Sequence, residues 1–561
     1  GNEDGFLLAL DAARNAQGEI VCRVNQVTVT RPDCVPINVF GFGAPSQAAL
    51  DFVNTTTTRD EKAEEFDILA SVSGDLSQLF ELPGGPIAFA FGTEYRTETA
   101  YSAFDELVQA GGTFLNQIPT FDPPKLEVLE GFAEVAIPLL ADLPFADELT
   151  ISGAARVSDY NTATGTVWAY NINGIYAPIP DIRFRAAYAT SVRAPTQSDL
   201  FSPASQNFAF LADPCDAQNI TNNPNRAANC AAAGVPATIT PAIAAACAGQ
   251  VDPTLLDIGD PFVNCTARSA STAYTSGGNP NLIEEKGKSL TLGVVLQPRF
   301  VPGLSFTVDY YNIEIEDQIA TLGAQTILNN CYNDANGIDN PYCVSISRDP
   351  TTGLFNDPAL LSSGINFASR ETEGIDFDLQ YNYTFENDHR LRVRAIATHL
   401  LKLDFFENPD DGEVPNRIRG ELGDPEWAAS FSASYDIGDV EFTWSMRFID
   451  EMTKGAYESA FPYIGRCPAS GSTGFTGGTC TPGELTTLDP SNVDQYADPT
   501  YPMKIYHNAR IDWDVDDAFN FYVGVDNLLD EKPGFGLLGT GGGDPYDTFG
   551  RYFYAGIRAD F

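Results

Sequence analysis

The sequence predicts an all-β fold, a transmembrane antiparallel β-barrel, and three observations point to it. Hydrophobicity repeats with a period of two, connections alternate between short turns and very long links, and every cysteine sits in a long link. The period is plainest over Ile375-Asp376-Phe377-Asp378-Leu379-Gln380-Tyr381-Asn382-Tyr383-Thr384-Phe385, where each odd position is apolar or aromatic and each even one polar or charged. Successive side chains of a strand point to opposite faces, so this segment has one greasy side and one wet side. Leu290, Leu292, Val294 and Leu296 repeat the pattern, as do Leu304, Phe306, Val308 and Tyr310. A soluble sandwich also alternates; connection lengths separate the two.

The pattern marks about fifteen strands, near 63–79, 86–100, 125–138, 147–160, 164–177, 182–194, 286–298, 303–316, 372–385, 389–403, 426–437, 439–450, 505–515, 518–528 and 550–561. Short connections such as Ile179-Pro180-Asp181, Glu386-Asn387-Asp388 and Ile437-Gly438-Asp439 carry turn-forming residues. The links 195–285, 317–371, 404–425, 451–504 and 529–549 far exceed ordinary loops. Transmembrane barrels have this asymmetry, with short periplasmic turns and long extracellular loops. On that topology residues 1–62 are an extracellular loop segment, 63–561 is the C-terminal part of a barrel, and Phe561 ends in the periplasm. Because complete bacterial barrels have an even strand number and start in the periplasm, upstream strands are expected to be missing from this chain.

Composition removes other classes. No apolar run approaches the roughly 18 residues of a membrane helix. A net charge of −44 repels nucleic acid and provides no basic patch for phosphates; it reads as solvated loops. The ten cysteines form no CxxC motif, and each consecutive couple is 12 to 18 residues apart, which fits local disulfides in an oxidising compartment better than thiolate metal sites. Cys22 with Cys34, Cys331 with Cys343 and Cys467 with Cys480 are each alone in their link. Cys215, Cys230, Cys247 and Cys265 share one link, and their pairing stays open, with 215–230 and 247–265 preferred. These bridges are expected to staple exposed loops that lack a core of their own.

No cofactor is expected. His389, His399 and His507 are scattered, and Asn408-Pro409-Asp410-Asp411-Gly412-Glu413 lacks the ligand spacing of an EF-hand, so it reads as a solvated turn rather than a calcium site. Gly539-Thr540-Gly541-Gly542-Gly543-Asp544 is a loop tip, since no Lys-Ser or Lys-Thr follows it. Without a GxSxG or paired-His signature, an enzyme is not expected.

Four motifs at the assigned strand boundaries resemble those of the TonB-dependent receptors. Ala189-Thr190-Ser191-Val192-Arg193-Ala194-Pro195-Thr196-Gln197-Ser198-Asp199-Leu200-Phe201 is similar to a strand-to-loop signature of that family, and Asn279-Pro280-Asn281-Leu282-Ile283-Glu284-Glu285-Lys286-Gly287-Lys288-Ser289 to the signature entering the next strand. Val525-Asp526-Asn527-Leu528-Leu529-Asp530-Glu531-Lys532 resembles a third, and Gly550-Arg551-Tyr552-Phe553 through Phe561 the closing strand. Cys22 and the stretch from Cys34 to Gly41 resemble an outer loop of large proteobacterial members.

The resemblance implies an outer-membrane receptor of a Gram-negative bacterium that imports a siderophore, vitamin, carbohydrate or peptide-like ligand with TonB-supplied energy. Such transporters are 22-stranded with a plugged lumen, so about seven strands, the plug and the TonB box would lie on a preceding segment, through either truncation or a cut in an extracellular loop, of which the cut is favoured. Implied partners are that segment, the TonB energy-coupling complex, the bilayer with its lipopolysaccharide, and the ligand, whose binding residues are unassigned. Phe561 fits the aromatic-ended last strand read by the barrel assembly machinery. On the inferred lumen face, Asp376, Asp378 and Gln380 neighbour Arg390, Arg392 and Arg394 as a charge ladder, read as structural pairing with each other or with the plug. A passive porin and a barrel-based surface adhesin are the alternatives.

Overall fold

The computed structural model describes residues 2–113, 117–340, 342–407, 415–453, 463–466, 485–487, 500–516, 518–533 and 545–559. Fifteen long strands dominate it: β1 Arg59–Asp75, β2 Ala88–Phe104, β3 Leu126–Leu143, β4 Ala146–Tyr160, β5 Thr166–Ile179, β6 Ile182–Arg193, β7 Glu285–Leu296, β8 Leu304–Thr321, β9 Phe355–Thr384, β10 Arg390–Phe406, β11 Trp427–Ile437, β12 Val440–Ile449, β13 Lys504–Asp514, β14 Phe519–Asp526 and β15 Tyr552–Ala559. Each pairs antiparallel with the strand before and after it in sequence. The order is that of a barrel wall, yet among the described residues no register pairs β15 with β1, so the wall is open along two edges. Phe561, Cys467, Cys480, the acidic 408–413 stretch and the glycine-rich 539–544 loop lie outside the described residues.

Connections at one end of the sheet are short and those at the other end long, except the 161–165 turn between β4 and β5. Backbone sterics shape the short turns. At Gly303 (φ 85°) a Cβ would lie 1.8 Å from the Asn382 carbonyl oxygen, so glycine alone lets the turn between β7 and β8 close onto β9. One face of the sheet carries exposed apolar side chains: Trp168, Ile172, Val523 and Ile557 are between 52% and 64% exposed. Water penalises so continuous an apolar surface, whereas acyl chains do not. Among the described residues no helix is long and apolar enough to cross a membrane.

Two long links fold together into a cap. Leu211, Ile239, Ile243 and Phe262 of the link after β6 pack with Ile327, Leu328 and Tyr332 of the link after β8 and with Leu360 at the start of β9. This corrects the expectation of loops without a core. The apolar residues belong to links far apart in sequence and follow no single period, so only the assembled fold gathers them. Disulfides Cys215–Cys230, Cys247–Cys265 and Cys331–Cys343 lie in the cap, and Cys22–Cys34 lies in the N-terminal segment. The cap is continuous with the wall, because β9 extends through it and Thr275–Gly277 pairs in parallel with Leu361–Ser363. Residues before β1 fold back on themselves, with the Asn2 amide donating to the Val53 carbonyl (2.8 Å), and onto the link after β2, with the Glu3 amide donating to the Gly112 carbonyl (3.1 Å).

Candidate functional site

The polar face of the sheet carries its charges largely in cross-strand pairs. Arg156 contacts Glu94 (2.8 Å) and Glu130 (3.8 Å) on other strands, while Arg96 contacts Glu98 (3.0 Å) along its own strand. Arg185 reaches Asp309 across the intervening strand, with Nε 2.8 Å from Oδ1, by passing over Gly293. A Cβ at Gly293 would sit 1.9 Å from that carboxylate oxygen, so the missing side chain opens the route.

The residues of the anticipated ladder share this face but pair differently. Arg394 approaches Asp378 (3.6 Å), while Asp376 accepts a hydrogen bond from Thr398 (2.7 Å). Arg390 and Arg392 turn to the opposite neighbour, reaching Asp436 at 3.3 and 3.2 Å, and Arg392 also contacts Glu441 (2.8 Å). Sequence reasoning missed Asp436 and Glu441, although both flank the short turn after β11. The histidines are packed on aromatic rings: His399 stacks on Trp427 (4.1 Å), His507 on Trp444 (5.8 Å), and His389 hydrogen-bonds Tyr435 (2.9 Å). Among the described residues no group of His, Cys, Asp and Glu is arranged to hold a metal ion.

At the long-loop rim the sequence motifs act as corner pieces. Arg193 bridges Glu285 (2.8 Å) and Asp199 (3.2 Å), joining the first motif to the second. Thr196 and Asp199 form a capping box on the helix Gln197–Phe201, and the buried Gln197 amide donates to the carbonyls of Glu98 and Pro124. The third motif turns on Asn527, buried and at φ 49°. Its Nδ2 donates to the Glu531 carbonyl (2.7 Å) and Asp547 Oδ2 (2.9 Å), its Oδ1 accepts from the Glu531 amide (2.7 Å), and its own amide donates to Asn508 Oδ1 (2.8 Å). Asparagine tolerates this left-handed backbone and satisfies the turn with one side chain.

The cap is built around a buried ion pair. Arg348 donates to both oxygens of Asp213 (2.8 and 2.7 Å), to the Gly353 carbonyl (2.8 Å) and to the Tyr332 hydroxyl (2.8 Å), and lies over the Phe355 ring at 4.3 Å. Asp213 also accepts from Asn264 Nδ2 (2.6 Å) and the Cys215 amide (2.9 Å). Burial opposes the Asp213 carboxylate, but Arg348 and these hydrogen bonds outweigh it and hold the carboxyl below its usual range. Burial likewise pushes the Tyr332 hydroxyl up. Arg348 and Asp213 neutralise each other, so this cluster holds the shape of the cap.

A cleft of about 560 Å³ opens on the polar face of β12–β15 at the same rim, lined by Arg447, Tyr506, Asn508, Asp526, Asp547 and Tyr552 among others. No sequence signal marked it, because its walls come from four strands and the link before β15.

A long antiparallel wall with a greasy face, a charged face and one elaborated rim defines the wall of a membrane β-barrel. The sequence matches the TonB dependent receptor-like beta-barrel family over residues 37–528, and the chain belongs to that family. No curated protein matches it in sequence. Among solved structures, a mutant ferric enterobactin receptor from Pseudomonas aeruginosa is similar at TM-score 0.51 and 13% identity, covering 89% of this chain and 54% of that one. The siderophore receptor PirA from Acinetobacter baumannii is similar at TM-score 0.51 and 13% identity, covering 91% of this chain and 56% of that one. The chain thus spans little more than half the length of these receptors, and the likeness is one of fold.

Proposed function

We propose that the chain is the ligand-facing wall and cap of an outer-membrane receptor of a Gram-negative bacterium, which takes up a ligand with energy supplied through TonB. The observation that carries this reading is the family match over residues 37–528, coinciding with a fifteen-strand wall whose exposed face is apolar. In this reading the long-loop rim and cap face outward and the short turns face the periplasm. The two edges of β1 and β15 are closed by further strands of the same receptor, since unpaired amides and carbonyls in hydrocarbon cost several kcal/mol each. The plug and TonB-contacting segment accompany those strands. The self-paired charges of the polar face, such as Arg156–Glu94 and Arg392–Glu441, line the lumen around the plug.

Planar-bilayer conductance tests it against a passive pore. The receptor isolated from the outer membrane is expected to stay closed, because its lumen is plugged. Steady conductance through an open lumen refutes the reading and favours a porin. Site-directed photo-crosslinking in cells tests energy coupling, with a TonB adduct expected on the intact receptor.

A further inference from the structure

We propose that the rim cleft over β12–β15 is a sugar-binding subsite that takes a neutral oligosaccharide; this deepens the import reading and rests on it. Its volume of about 560 Å³ falls in the range of roughly 300–1,000 Å³ typical of small-molecule sites. A second hollow of about 380 Å³ continues along the same face past Arg447 and Pro545, bordered by Ile396, Thr398 and Ala428. The two hollows meet at a strut in which Arg447 Nη2 donates to the Pro545 carbonyl (2.5 Å). The space is therefore elongated and suits a chain of rings.

The cleft holds both donors and acceptors, with Arg447 and Tyr506 side by side on neighbouring strands and Asp526 and Asp547 in the same lining. Among the described residues the Asp526 carboxylate has no hydrogen bond or ion pair, although it lines the cleft. Asp547 is held in place through Asn527 (2.9 Å) and the Phe549 amide (2.9 Å), which leaves each of its oxygens further acceptor capacity. The Tyr506 hydroxyl accepts from the Asp547 amide (3.2 Å), so its proton is available to a ligand. Arg447 keeps guanidinium N–H groups beyond its bond to Pro545, and among the described residues no carboxylate lies within ion-pair distance of it. A hydroxyl both donates and accepts, so adjacent hydroxyls on one ring match a carboxylate beside a guanidinium or phenol.

Two aromatic rings complete the site. Phe549 is 93% and Tyr552 59% exposed, and both line the cleft. Flat apolar ring faces beside these polar groups suit the C–H face of a pyranose, whose burial removes that ring surface from water. Charge disfavours an anionic ligand, which meets Asp526 and Asp547 within the field of a chain of net charge −44, and Arg447 sets one positive group against a cationic one.

The test is binding of neutral, acidic and amino oligosaccharides, presented as a glycan array, to the intact receptor in outer-membrane vesicles. Retention confined to neutral glycans is expected, reduced at least tenfold by Phe549→Ala with Tyr552→Ala and by the near-isosteric Asp526→Asn. Phe549 is almost wholly exposed, so its removal leaves the fold intact and Asp526→Asn keeps the side chain's shape. No retained neutral glycan, preferential retention of charged glycans, or equal retention by the variants overturns the proposal. Uptake of the retained glycan in cells, with and without a protonophore, is read separately. Binding with no energy-dependent uptake refutes the import reading and leaves the subsite standing, while uptake unaffected by the variants refutes the subsite and leaves import standing.

Discussion

Replacing Asp213 by Asn keeps the shape of the side chain but strands the Arg348 guanidinium inside the cap. The Asp213 side chain is 0% exposed and that of Arg348 7%, so neither charge reaches water. Breaking a buried pair from one side costs about 3–5 kcal/mol because an uncompensated charge remains. Asparagine still accepts a hydrogen bond from Arg348, which places Asp213→Asn near the lower figure, roughly a hundredfold in the opening equilibrium of the cap. Hydrogen exchange read by mass spectrometry is the assay, since exchange of protected amides tracks local opening. Peptides covering Ile239–Ile243 and Ala324–Asn333 are expected to exchange about a hundredfold faster, with β3 to β5 unchanged. The double variant Asp213→Leu with Arg348→Met is expected to recover much of the loss, because it removes both charges together. The Asp213 carboxyl lies below its usual range in the folded cap. Its contribution is therefore fully present above the unfolded value, about 3.9, and is lost as pH falls through the lower folded value. Wild-type protection of the cap in Asp213→Asn refutes the reasoning.

Reducing Cys215–Cys230, Cys247–Cys265 and Cys331–Cys343, whose loops span 15, 18 and 12 residues, costs about 3 kcal/mol each on chain-entropy grounds; proteolysis of the cap before the wall is the expected readout. Asn527→Ala loses three side-chain hydrogen bonds and places alanine at φ 49°, costing about 2–4 kcal/mol, and protease cleavage within 527–533 checks it. Gly293→Ala drives a methyl into the Arg185–Asp309 pair and is expected to destabilise the wall by about 1–3 kcal/mol, seen as unfolding at lower temperature in heat-modified gel mobility.

The wall was legible because alternation is a local property: the spans marked from residues 375–385, 290–296 and 304–310 coincide with β9, β7 and β8. β9 starts earlier, at Phe355, where its residues pack into the cap core and alternation gives way to the run Ala359, Leu360 buried together. The cap itself was illegible. Its core joins Leu211 to Leu328 and Asp213 to Arg348 across more than one strand pair, a closeness that no local period encodes. Arg390 and Arg392 show the same limit: the sequence places them on the face of Asp378, but the partner on the other side, Asp436, depends on the register of β10 with β11. The Asn527 turn lay within a recognised motif, yet its four anchoring bonds became visible only with Asn508 and Asp547 brought to it.

The most direct test of the account is the architecture of the receptor purified from the outer membrane, imaged by cryo-electron microscopy in detergent. A closed barrel is predicted in which the free edges of β1 and β15 each hydrogen-bond to additional strands, with a plug in the lumen and the cap on the outward rim. Direct pairing of β15 with β1 around an empty lumen would contradict it.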